Sequence, residues 1–306
     1  MNLRSIWSAV KEVVAGFLED QPFQLAGALS FYTLLSMAPL LMVVIGLAGL
    51  IFGEAAVRGE LVGQIEELVG EDGAEAVQTI LANAAPPEGA PLSMAIGIGL
   101  LLIGATTVFA QLQASLNQIW HVKASPRGNA IWALLRTRLL SLSMVIVIGF
   151  LLLVSLVISA TLTALHTYVT GSLSAGEGIL WRGVDIAVGL IVVSLLIAFM
   201  FKFLPDVRIA WRDVWFGAAV TAVLFSIGRY AIGLYLGQTG VASAYGAAGS
   251  LVVLLLWIYY SALIVFFGAE VTQVWARRMG KHIRPARYAI DIDATHAGEH
   301  AAGHHQ

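Results

Sequence analysis

Apolar residues gather into six long runs, at about residues 28–53, 92–116, 139–165, 184–204, 214–236 and 249–273. Each approaches or exceeds the ~20 apolar residues with which a helix crosses ~30 Å of hydrocarbon. In lipid, only helices or closed barrels satisfy their own backbone. Uninterrupted runs such as Ser250 to Phe267 lack the period-two alternation of a barrel strand. The pattern predicts an all-α polytopic membrane protein with six transmembrane helices.

Two flanking segments carry a different period. Over residues 3–19, Ile6, Trp7, Val10, Val13, Val14, Phe17 and Leu18 recur at helical spacing, with Arg4, Lys11, Glu12 and Glu19 elsewhere around the wheel. An amphipathic helix follows, lying in the membrane interface or packed beneath the bundle. Between the first two runs, Leu61, Ile65, Leu68 and Val69, then Val77, Ile80 and Leu81, repeat on either side of Gly70 and Gly73. Residues 54–91 therefore predict a helical hairpin capping the bundle. Its acidic residues lack the alternating ligand spacing of a calcium loop and read as a solvated helix face. The resulting division is 1–20, an amphipathic segment; 21–278, the membrane domain; and 279–306, a basic then His-rich tail expected to be disordered.

Composition agrees: of 306 residues, 58% are hydrophobic and 12% charged, with mean hydropathy +0.84, too little polar surface to cover a soluble globule. The first run lies beyond Glu19 and Asp20 and is too long for a signal-peptide core, so it is expected to be retained. No cysteine is present, which removes disulfides, thiolate nucleophiles and cysteine metal sites. The placement of charge says more than its sum. Of the 17 basic residues, 14 fall in the N-terminal segment, the second and fourth connections and the tail, all on one side of a six-span arrangement. Arg58 and Arg182 fall on the other side, and Arg229 lies inside the fifth run. By the retention of Lys and Arg in the cytoplasm, both termini are expected inside.

Polar residues within apolar runs are kept away from lipid and mark candidate interior positions. The first run holds Tyr32, Ser36 and Pro39, whose ring and missing N–H disturb the helix near its middle. In the second, Gln111 and Ser115 continue a stripe from Thr107, while Gln113 and Asn117 form another. These lie along a pathway or make interhelical hydrogen bonds of about 1 kcal/mol each. Arg229 and Glu270 are expected at different depths. Asp185 is a candidate partner for Arg229, and Arg136, Lys202 or Arg212 for Glu270; both charges are open to a structural ion-pairing or a substrate or proton role. Gly and Ala concentrate in the fifth run, the loop containing Tyr245 and the start of the sixth, as a close-packing surface or a moving element. No phosphate-binding loop, dinucleotide fingerprint, zinc-protease pair or nucleophile elbow appears, and the scattered tail histidines lack a rigid pocket. Neither a cofactor nor a metal is expected.

Several strings considered together, SFYTLLSMAPLL at 30–41, LNQIW at 116–120, FLPDVRIAWRDVWFGA at 203–218 and the segment 243–273, resemble the YihY/BrkB family of bacterial inner-membrane proteins, whose older label is ribonuclease BN. The resemblance covers most of residues 20–278 and implies six helices with inward termini. Family-pattern positions include Tyr32, Ser36, Pro39, Asn117, Trp120, Pro205, Trp211, Gly217, Tyr245, Gly246, Trp257, Tyr259, Tyr260, Gly268 and Glu270. The ribonuclease label would require convergent carboxylates or a histidine pair beside a basic surface, and no compact set of that kind stands in the sequence. Nucleic acid is not an expected partner. The expected functions are a transporter or flippase-like protein for a small solute or amphipathic envelope component, or a noncatalytic scaffold; homo-oligomers remain open.

Overall fold

In the computed structural model the described residues are 3–83, 91–124, 139–140, 143, 146–147, 177–239, 244–279, 284–286 and 289–291. Their helices are α1 (Leu3–Glu19), α2 (Pro22–Phe52), α3 (Glu54–Val69), α4 (Glu71–Asn83), α5 (Pro91–Ile119), α6 (Glu177–Phe203), α7 (Trp211–Thr239) and α8 (Gly249–Arg278). Five of them, α2, α5, α6, α7 and α8, are long and apolar enough to cross a membrane. The third predicted span, 139–165, lies mostly outside the described residues. Those described between 139 and 147 are helical.

Sequence punctuation explains the breaks. Pro22 opens α2, where its missing N–H is no loss, and Gly53 and Gly70 adopt φ values of 85° and 84° that end α2 and α3. Pro39 inside α2 is accommodated by the neighbouring helix: a Cβ on Gly104 of α5 would come within 2.8 Å of its ring.

Helix α8 is the hub, packing against α7, α2, α4 and α1, while α5 lies on α2 and α6 on α7. The α7/α8 crossing is reciprocal. A Cβ on Gly217 would collide with Thr272, and one on Gly268 with Thr221. Thr221 and Thr272 each donate their hydroxyl to the carbonyl four residues back, Gly217 and Gly268 respectively, at 2.7 Å. Each helix thus presents Gly-x-x-x-Thr to the other, and small surfaces let the backbones approach closely. Gly228 meets Tyr260 and Ile264 further along, so residues whose numbers sum to roughly 489 stand at one level of this antiparallel pair.

Two cores follow from the packing. The larger joins Leu29, Phe109, Leu116, Phe201, Val214 and Phe266 from all five long helices. The smaller seats α3 and α4 on the bundle through Val57, Val77 and Leu81 against Leu41, Ile45, Leu254 and Ile258. Outward faces remain apolar, as Phe31, Leu35, Leu100, Ile191, Ile227 and Leu234 show. Such an inversion of the soluble pattern suits a hydrocarbon surrounding.

At the opposite end from α3 and α4, the chain following α8 returns across the bundle. Strand β1 (Val122–Ala124) pairs antiparallel with β4 (Ala289–Asp291), and β2 (Val207–Arg208) with β3 (Arg284–Pro285). Strands β3 and β4 belong to the 279–306 segment, and the loops after α5 and α6 satisfy their backbone groups. The histidines at 296, 300, 304 and 305 lie outside the described residues.

Candidate functional site

The end of the bundle that carries β1–β4 also carries Lys123, Lys202, Arg208, Arg212, Arg277 and Arg278, and is called the basic end below. Buried polar side chains concentrate there in two groups.

The first is built on Asp206, in the short connection between α6 and α7. Its Oδ1 accepts from Gln113 Nε2 at 3.1 Å and its Oδ2 from Asn117 Nδ2 at 2.9 Å, while its backbone N–H donates to Asn117 Oδ1 at 2.7 Å. Its carbonyl accepts from the Ala286 N–H at 2.9 Å, linking the tail to the same point. Gln113 and Asn117 are four apart on α5 and so share a face. Nearby, Lys202 donates to the Ile209 carbonyl and lies 5.5 Å from the Trp211 ring. This is a clamp between helix ends.

The second group draws Asp20, His121 and Glu270 from three separate chain segments. His121 Nε2 is 3.3 Å from Asp20 Oδ1, and the Asp20 and Glu270 carboxyls are within hydrogen-bonding reach. Asp20 and Glu270 are 8% and 3% exposed, and Asp20 Oδ2 and Glu270 Oε2 are buried atoms that receive no hydrogen bond. Side-chain amides tie the surrounding backbone down: Gln118 Nε2 donates to the Asp20 carbonyl at 3.1 Å, and Gln273 Nε2 to the Ile119 carbonyl at 2.7 Å. Helix α1 closes the group from the side, because Gly16 lies directly against Glu270 Oε1 where a Cβ would overlap it. Phe17 stacks edge-on to Phe267 at 5.4 Å, and Arg278 anchors α1 through Glu12 Oε2 at 2.7 Å, the Ser5 carbonyl and Ser8 Oγ.

Backbone strain is concentrated at the same place. Among the described residues, the non-glycine positions with positive φ are Gln21 at 54° and His121 at 52°. One directly follows Asp20 and the other is itself a member of the group. Each left-handed residue costs on the order of 1–3 kcal/mol and persists where surrounding contacts impose it.

The sequence-predicted positions distribute unevenly around these groups. Gln113 and Asn117 meet on Asp206, whereas Gln111 turns its amide to Ser115 at 3.5 Å. Ser36 is buried, Tyr32 meets Phe31 edge-on at 5.8 Å, and Tyr245 is 61% exposed. Pro39 rests on Gly104, and Arg229 lies 5.3 Å from the Tyr230 ring. The side chain of Asp185 and the whole of Arg136 lie outside the described residues. By the α7/α8 register Arg229 stands level with Tyr260, ten residues or about 15 Å from Glu270 at 1.5 Å per residue. Glu270 thus faces Asp20, His121 and Arg277. Lys202 is engaged with Ile209 and Trp211, and Arg212 is exposed. Sequence reasoning missed Asp20, His121, Asp206, Gln118 and Gln273 as site residues. The signal for Asp206 was its place in the string FLPDVR; that for Asp20 and His121 was their position at helix ends.

A family profile described as "Virulence factor BrkB" matches residues 13–291, nearly the whole chain and both polar groups. The chain belongs to the BrkB family. Relatives named "UPF0761 membrane protein" include those of Delftia acidovorans, 29% identical over 264 residues, and Verminephrobacter eiseniae, 32% over 263. These alignments take in 84% and 81% of this chain but 59% and 57% of the relatives. A relative from Pseudomonas aeruginosa with the same name is 28% identical over 277 residues, covering 86% of this chain and 62% of its own. The chain therefore spans roughly three-fifths of the length of these BrkB-family membrane proteins. No solved structure matches it.

Proposed function

We propose that this BrkB-family chain is an inner-membrane transporter or flippase-like protein for a small solute or an amphipathic envelope component, with its basic end in the cytoplasm. The observation that carries the reading is the meeting of two buried carboxyls, Asp20 and Glu270, with the half-buried His121 at the basic end of the bundle. Ionisable groups are costly in that setting, and Asp/Glu/His chains mark ion and substrate pathways. Orientation follows from Lys and Arg at the basic end and from the acidic exposed faces of α3 and α4 at the other, which carry Glu54, Glu66, Glu71, Asp72 and Glu75. Arg229 adds a further ionisable group at another depth. Intrinsic nuclease activity forms no part of this proposal: the two convergent carboxyls, Asp20 and Glu270, are buried with α1 against them, whereas phosphodiester cleavage needs its acid/base or metal-binding groups open to the substrate.

A noncatalytic scaffold is the second reading, favoured by the acidic hairpin as a docking face. Purified protein reconstituted into vesicles and screened for solute uptake and for lipid scrambling separates the two. Transport predicts flux above protein-free vesicles for one class of solute or lipid; a scaffold predicts none across the screen.

A further inference from the structure

We propose that Asp20, His121 and Glu270 form a proton-binding site whose proton passes between the two carboxyls and the imidazole, with α1 as its cover. The inference deepens the transport reading by naming the coupling ion, and it rests on that reading only for the use made of the proton.

The chemistry of the donors selects the ligand. Two carboxylates accept hydrogen bonds but donate none, so a hydrogen bond between Asp20 and Glu270 exists only when one of them holds a proton. His121 beside Asp20 Oδ1 is a group that takes or returns that proton by changing its own charge. Asp20 Oδ2 and Glu270 Oε2, both buried and without a hydrogen bond, are the remaining acceptor positions. Two carboxyls and one imidazole together make a donor set that a single proton can bridge.

The other charges nearby lie at the edge of the group: Glu19, next to Asp20 in sequence, and Lys123, two residues from His121, are exposed, and Glu12 is paired with Arg278. Arg277 acts on Glu270 from the same helix. Helix α2 contains no charged residue, α1 contributes Gly16 at the contact, and Asp213 of α7 stands level with Ala276, more than a turn away by the helix register. Protonation and deprotonation therefore change the net charge of a nearly closed compartment. The cover is specific: Gly16 leaves room for the Glu270 carboxyl, while the contacts of Arg278 with Glu12, Ser5 and Ser8 hold α1 in place from outside the group.

Infrared difference spectroscopy of the whole chain in nanodiscs, titrated with pH and without any substrate, tests the proposal. The wild type should show a carboxylic-acid carbonyl band that titrates, absent in Glu270→Gln and displaced in Gly16→Ala, whose added methyl group pushes the carboxyl aside. His121→Asn, which tolerates the left-handed backbone, should move the midpoint by roughly one pH unit or more. Glu66→Gln on the exposed face of α3 should leave the band intact. Identical spectra for wild type, Glu270→Gln and Gly16→Ala would overturn the site. A titrating band in protein that moves nothing across vesicles would retire the transport reading and leave the proton site standing; flux independent of pH without such a band would do the reverse.

Discussion

At the scale of single residues, glycine and short polar side chains set where the helices meet. Gly217 and Gly268 are each filled by the opposing threonine, so a larger side chain has nowhere to go. Gly217→Val or Gly268→Val should destabilise the fold by at least the roughly 1–3 kcal/mol typical of overpacking, read as a lowered midpoint of unfolding in detergent. At Asp206 the argument is one of satisfaction rather than space. Asn117→Ala removes a partner from both the carboxylate and the backbone N–H, and hydrogen bonds to charged groups contribute about 1.5–3 kcal/mol. The same unfolding measurement should show a loss of that order, with Asn117→Asp at least as damaging because it brings a second carboxylate to Asp206. Glu270 was legible in the sequence as an ionisable residue near the end of an apolar run. Its partners were not, because Asp20 and His121 occupy helix ends whose meeting depends on the left-handed turns at Gln21 and His121, and no periodicity encodes those.

At the scale of elements, the apolar runs announced the long helices because burial or lipid contact on every side leaves little polar periodicity to obscure them. The helices α1, α3 and α4 were legible from their 3.6-residue spacing. Strands β1–β4 were not, since segments of two or three residues are too short to show alternation, and their pairing brings together loops far apart in sequence. Part of the polarity of α2 and α5 is spent locally, since Ser30, Thr33 and Thr107 return their hydroxyls to their own helix at 2.7 Å. Helix α1 offers a direct test at this scale. A 17-residue helix is marginal alone, and α1 is held by Phe17, Gly16 and the Arg278 contacts while Trp7, Val10, Val14 and Leu18 stay exposed as an apolar stripe. Arg278→Ala should cost less than about 1 kcal/mol of global stability, as exposed ion pairs do. It should nevertheless raise amide hydrogen exchange across residues 5–16 well above that of α8; unchanged exchange would show that the apolar contacts suffice to hold α1.

At the scale of the whole molecule, the account has a basic end closed by strands, α1 and two buried polar groups, an acidic end capped by α3 and α4, and apolar faces between. With the basic end in the cytoplasm, a cysteine introduced at Glu71 should react with an impermeant reagent added outside cells, and one at Lys123 should react only after the membrane is opened. The reverse pattern would invert the orientation. The central claim is that the ionisable group at the basic end serves transport, and the most direct test is flux in proteoliposomes under an imposed pH gradient, using the solute or lipid that the wild type moves. The account predicts flux that follows the gradient in wild type and in Glu66→Gln, and falls at least tenfold in Glu270→Gln protein that remains folded by its unfolding midpoint. Wild-type flux in folded Glu270→Gln, unaltered by the gradient, would contradict it.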